Sequence, residues 1–114
     1  MDQETQSALS NTVTNFRATV RSGGVTLKGF SVNNIANTAT TYLSVFGVPA
    51  ASVVLGTTTP IFRFPIGSQS AVLETANTFN YIGQATTGLS AAVTTTEIGT
   101  TAPSTAVSVT LYFE

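Results

Sequence analysis

Apolar and polar residues alternate with a period of two in one segment after another of this chain, and that period belongs to strands rather than helices. Two stretches carry it most clearly, Val25 to Asn33 and Thr41 to Val48. In the first, Val25 and Leu27 fall on one parity and Phe30 and Val32 on the other, with Gly29 at the change. A glycine at such a switch marks a bulge or bend, the place where a strand leaves one sheet of a sandwich for the other. In the second, Tyr42, Phe46 and Val48 share one face and Leu43 and Val45 the opposite one. Both faces are apolar, so both must be covered, by more of this chain or by another copy of it. We read the two stretches as strands of one sheet and as the centre of the fold.

Shorter segments surround them. Phe16, Ala18 and Val20 alternate with Arg17, Thr19 and Arg21, which predicts a half-buried strand entering a Ser22-Gly23-Gly24 turn. Ile61 to Ile66 sets Phe62 and Phe64 against Ile61 and Arg63, and Pro65, having no N–H, makes this an edge strand. Ala71 to Thr75 and Thr78 to Ile82 read as short strands around an Ala76-Asn77 turn. Leu89 to Thr94 and Val107 to Phe113 alternate cleanly.

Two regions lack the period. Residues 1–15 hold only Ala8, Leu9 and Val13 as apolar residues after the initiator, too little to commit them to a core, and predict an arm bearing Asp2 and Glu4. Pro49 to Pro60 is a long link in which Val53, Val54 and Leu55 either tuck over the end of the sandwich or offer an apolar contact to another subunit. The expected architecture is all-β, an antiparallel β-sandwich or jelly roll of seven to eight short strands over residues 16–114, preceded by a flexible N-terminal arm.

Charge changes the picture. Only 8% of the 114 residues are charged, against about 25% in ordinary soluble domains. The surface must be built largely from Thr, Ser, Asn and Gln, a composition closer to the centre of an interface than to a free surface, and it points to a subunit of an assembly. Arg17, Arg21, Lys28 and Arg63 are too few to track phosphates, so no nucleic-acid partner is expected. With no Cys and no His, thiol chemistry is excluded, a metal would have to rest on oxygen ligands, and no cofactor is expected. The acidic, polar start is unlike a signal peptide, and the most apolar run, Tyr42 to Gly56, is broken by Ser44, Pro49 and Ser52. The expectation is a chain made in a cytoplasm, with no membrane partner.

Candidate chemistry is thin. The carboxylates Asp2, Glu4, Glu74, Glu97 and Glu114 and the three tyrosines are the available acid–base groups, and a glycosidase-type pair could come only from Glu74 and Glu97. Nothing in the pattern places those two across a cleft. Sugar-binding sandwiches usually present stacking aromatics, and there is no Trp. The chain is read as non-enzymatic, with Asp2, Glu4, Arg17, Arg21, Val53, Val54, Leu55 and Arg63 as candidates for contact with a subunit or a larger surface.

The order of the pieces resembles a group of small virion proteins of tailed bacteriophages: the strand GVTLKGFSVNN, an Asn/Ala/Thr loop, TYLSVFG, a loop ending GTTTP, IFRFPIG, Gly/Ser turns and the strand VSVTLYF. The resemblance begins at Phe16 and leaves the N-terminal segment outside. It implies a jelly-roll or β-sandwich subunit, a homotrimer, that decorates or cements the capsid by binding the major capsid protein on the outer surface of the head. It supplies no catalytic residue. A tail or head-fibre subunit, or a module binding host glycans, are the alternatives.

Overall fold

The computed structural model describes residues 2–17, 24–74, 83–85 and 87–114. Within them nine strand segments lie in two antiparallel sheets: β1 (Asp2–Leu9), β2 (Thr14–Arg17), β3 (Val25–Asn33), β4 (Thr41–Phe46), β5 (Phe62–Ile66), β6 (Ala71–Glu74), β7 (Gly83–Ala85), β8 (Leu89–Thr94) and β9 (Val107–Phe113). Sheet A runs β1-β9-β3-β6, with β7 also on β3, and sheet B runs β2-β8-β4-β5. Strand β6 pairs with Phe30 to Asn33 and β7 with Val25 to Leu27 of the same strand. The two therefore lie end to end along one edge of β3 and fill one position, giving four positions per sheet.

Counted that way, first pairs with last, second with next to last, and so inward to β4 and β5. This is a long antiparallel hairpin folded over on itself, with β9 also joined to β3 and β8 to β4. The result is a jelly roll, the double-sheet form in the expected fold class.

The core fills the space between the sheets. From sheet A come Val25, Leu27, Phe30, Val32, Val107, Val109, Leu111 and Phe113; from sheet B come Phe16, Leu43, Val45, Ile66, Leu89, Ala91 and Val93. Phe62 and Phe64 close the β5 side, their ring centroids 5.1 and 5.0 Å from that of Phe30. Each such large apolar side chain, fully buried, contributes about 1.5–3 kcal/mol.

Two expectations about the central pair are corrected here. Strands β3 and β4 are not neighbours in one sheet; residues 34–40 carry the chain from sheet A to sheet B, and the two strands supply opposite walls of one core. Gly29 does sit at a bulge, since the register with β9 shifts between Leu27 and Gly29. The strand does not change sheets there. The extra residue resets the alternation, so that Val25, Leu27, Phe30 and Val32 all face inward.

The N-terminal segment is corrected too. Asp2–Leu9 is the edge strand of sheet A rather than an arm, paired with β9 in one register from Asp2 opposite Phe113 to Gln6 opposite Val109 and, after a register shift, with Leu9 opposite Val107. Thr5 and Thr110 share a hydroxyl–hydroxyl hydrogen bond of 2.7 Å, and Leu9 is buried in the core. A main-chain ladder needs no apolar side chain, which is why so polar a segment can take an edge. The predicted strand at Phe16 to Arg21 appears as Thr14–Arg17; its remainder, the Ser22-Gly23 part of the turn, the Ala76-Asn77 turn and the Thr78 to Ile82 strand lie outside the described residues.

The crossover from β3 to β4 is held by two buried asparagines. Asn34 Nδ2 donates to Gly67 O and Ala39 O at 3.0 and 3.2 Å. Asn37 Nδ2 donates to Asn34 Oδ1 and Thr105 O, both at 2.9 Å, and its Oδ1 accepts from Thr105 N at 2.9 Å. Three connections, β3–β4, β5–β6 and β8–β9, are thereby tied at one end of the sandwich.

Candidate interaction surface over sheet B

The outer faces of the two sheets differ. Sheet A presents half-buried Thr26, Lys28, Ser31, Ser108, Thr110 and Tyr112, with Leu73 exposed beside them. On sheet B the outward residues Ser44, Phe46, Ser90, Ala92 and Thr94 are all buried. Something lies over them, and it is this chain's own β4–β5 connection.

Residues 47–60 fold back across the sheet, with a single 3-10 turn at Ala50–Ser52. Ser90 Oγ donates to Val48 O at 2.7 Å, Thr87 Oγ1 to Gly47 O at 3.3 Å, and Ala50 N to Asn15 Oδ1 at 2.8 Å. Pro49 rests on Gly88 so closely that a Cβ there would stand 2.6 Å from the Pro49 nitrogen. The β8–β9 connection abuts this cover: a Cβ at Gly56 would lie 3.3 Å from Ile98 O, and Asn11 Nδ2 donates to Thr100 O at 2.8 Å. The second apolar face of β4 is thus covered within the chain, over the face of the sandwich rather than over its end, and needs no second copy.

The cover closes on itself in a tight turn. Thr57 N and Thr58 N both donate to Val54 O, at 3.0 and 2.9 Å, and Val54 N donates to Thr58 Oγ1 at 2.9 Å. Gly56 takes φ +87°, a conformation that a side chain would strain. Beside this turn is a cavity of about 160 Å³ lined by Gly56, Thr57, Thr58, Thr59, Pro60, Arg63 and Ile98. Arg63, half-buried on β5 and lining this cavity, donates from Nε to Ser44 Oγ at 3.2 Å. Val54 and Ile98 stand out at the surface, 63% and 66% exposed.

The candidate contact residues divide into two groups. Val53, Val54, Leu55 and Arg63 come together in or beside this cover, Val53 and Leu55 half-buried. Asp2, Glu4 and Arg17 gather on the β1–β2 side: Asp2 and Glu4 lie opposite Phe113 and Leu111 in the ladder, and the Arg17 guanidinium carbon is 5.0 Å from the centre of the Phe113 ring. Arg63 and Arg17 are on opposite edge strands of sheet B. Arg21 lies outside the described residues. Glu74 and Glu97 are not on one element: Glu74 is in sheet A opposite Phe30, and Glu97 is exposed in the connection after β8.

Sequence reasoning missed Ile98 and the Thr57 to Thr59 hydroxyls. An isolated isoleucine inside a Thr- and Gly-rich loop was the available signal for Ile98; three threonines in a loop carry none. Compared with protein-family models, curated proteins and solved structures, the chain finds no match in any of the three.

Proposed function

We propose that the protein is a virion structural subunit of the capsid-decoration, or cement, kind, which binds the major capsid protein on the outer surface of a phage head and stabilises contacts between capsomers. The observation that carries this reading is the surface over sheet B: in a chain with few charges the cover exposes Val54, and the adjoining β8–β9 connection exposes Ile98 at a small recess with one cation on its wall. Such a surface suits docking by burial with a polar rim rather than turnover of a substrate. The resemblance of the strand order from Phe16 onward to small phage virion proteins supplies the kind of partner, and with it a homotrimer located on the capsid and made in the host cytoplasm. The role is non-catalytic.

The jelly roll is also a scaffold of lectins, and the three threonine hydroxyls beside the recess favour a host-glycan-binding module as the second reading. Co-sedimentation of the purified chain with emptied phage heads, run beside a glycan array, separates the two. Saturable binding to heads with a blank array supports decoration. Binding to glycans without binding to heads overturns it.

A further inference from the structure

From the recess beside the Val54 turn, we infer a carboxylate-binding pocket that receives one acidic side chain, Asp or Glu, of the partner protein on which the domain sits. Arg63 is half-buried, and its Nε is spent on Ser44 Oγ at 3.2 Å. Among the described residues no carboxylate pairs with this guanidinium, so its two terminal nitrogens keep their donors for a ligand. A partly desolvated cation without a counter-charge gains most from an anion that can meet it in its plane, and a carboxylate does so with two parallel hydrogen bonds.

Size narrows the ligand further. A cavity of about 160 Å³ falls below the roughly 300–1,000 Å³ of pockets that enclose a whole small molecule. It accommodates the head group of one side chain. The rest of the wall fits that guest: Thr57 and Thr59 offer hydroxyls, and exposed Ile98 offers an apolar rim against which the methylene stem can lie. One cation suits one carboxylate, whereas a phosphate would call for more charge. The identity of the carboxylate's owner, the head shell, rests on the decoration reading; the chemistry of the pocket does not.

The test uses the full chain, labelled with nitrogen-15 and titrated with glutarate, and in parallel with the uncharged analogue glutaramide and with inorganic phosphate. Glutarate should produce saturable shifts in the millimolar range, centred on the amides of Gly56 to Thr59 and Ile98 and on the Arg63 side chain. Glutaramide should bind at least tenfold more weakly. Arg63→Gln, which can still bond Ser44, should abolish the shifts while leaving the rest of the spectrum in place. Ile98→Glu, at an exposed site with no part in the core, should do the same by supplying the carboxylate from the rim. Absence of saturation, equal binding of glutaramide, tighter binding of phosphate, or shifts that survive Arg63→Gln each overturn the pocket.

A second arm measures co-sedimentation with emptied heads. If the wild type binds heads, Arg63→Gln should weaken that binding at least tenfold; an unchanged affinity overturns the assignment of the pocket to the head shell. If the wild type saturates with glutarate but ignores heads, the decoration reading falls and the carboxylate pocket stands.

Discussion

Replacing Asn37 with alanine should destabilise the domain by about 2–4 kcal/mol, although Asn37 belongs to a loop and is not a member of the apolar core. Its side chain makes three hydrogen bonds: two from Nδ2, to Asn34 Oδ1 and Thr105 O, and one accepted from Thr105 N. Thr105 is exposed, so water can take over both of its groups, and those two bonds count at the low end, about 0.5 kcal/mol each. Asn34 is fully buried, and its Oδ1 would be left with no donor at a cost of about 1–3 kcal/mol. For a domain of this size each kcal/mol moves the melting midpoint by about 4 °C, so calorimetry should show a fall of about 8–16 °C. Thr38→Ala, at an exposed position in the same loop, should stay within about 0.5 kcal/mol of wild type. Asn37→Asp adds a signed check. At neutral pH its carboxylate would face the two oxygens that Nδ2 now serves, which raises its folded pKa above the unfolded value of about 3.9. The penalty is therefore full above the folded pKa and shrinks as pH falls toward the unfolded one. An Asn37→Ala loss under about 1 kcal/mol would refute this reasoning. It would mean that the backbone bonds Asn34 N to Ser70 O and Gln69 N to Asn37 O tie the loops by themselves.

Other positions give sharp outcomes. Thr41 is fully buried and its Oγ1 has no hydrogen-bond partner among the described residues, so Thr41→Val, equal in shape, should raise stability by about 1 kcal/mol in urea unfolding. Gly88→Ala drives a methyl group into the Pro49 backbone and should cost about 1–3 kcal/mol, with faster amide exchange at Ser90 and Ala92 as the cover lifts. Deleting Gly29 removes the extra residue of the bulge and leaves Val25, Leu27, Phe30 and Val32 on one parity of a regular strand. The shortened chain should keep its cooperative thermal transition, and loss of that transition would show that the bulge itself is needed to seat β3 between β9 and its other neighbours.

How much of this was legible in the sequence follows from what a period can encode. Alternation tells which residues share a face, and it located β3, β8 and β9 within a residue and most of β4 and β5. It does not tell which strand lies alongside. Val25 to Asn33 and Thr41 to Val48 therefore read as partners, whereas they face each other across the core. Strand β1 was illegible for another reason: its ladder is made of main-chain groups that every residue carries, and Leu9 alone reports the core. Asn34 and Asn37 look like turn formers until their amides are seen reaching residues 67 and 105. At the candidate surface, Val53, Val54, Leu55 and Arg63 could be flagged from composition. Their meeting with Ile98 depends on two connections folding over the same sheet, and no local pattern records that.

The position of β9 has a consequence for how the molecule comes into being. It follows every other strand in the chain, yet it lies between β1 and β3 in sheet A. While the polypeptide is being synthesised, β1 has no partner and β3 has one bare edge until Val107 to Phe113 leaves the ribosome. The pairing that closes the sheet joins residues as far apart as Asp2 and Phe113, the kind of distant contact that slows folding. Nascent chains crowded on one message would therefore hold out matching gaps to one another. Truncation before β9 should leave not a smaller domain but a sticky one, caught by neighbours or by chaperones before it can assemble on anything.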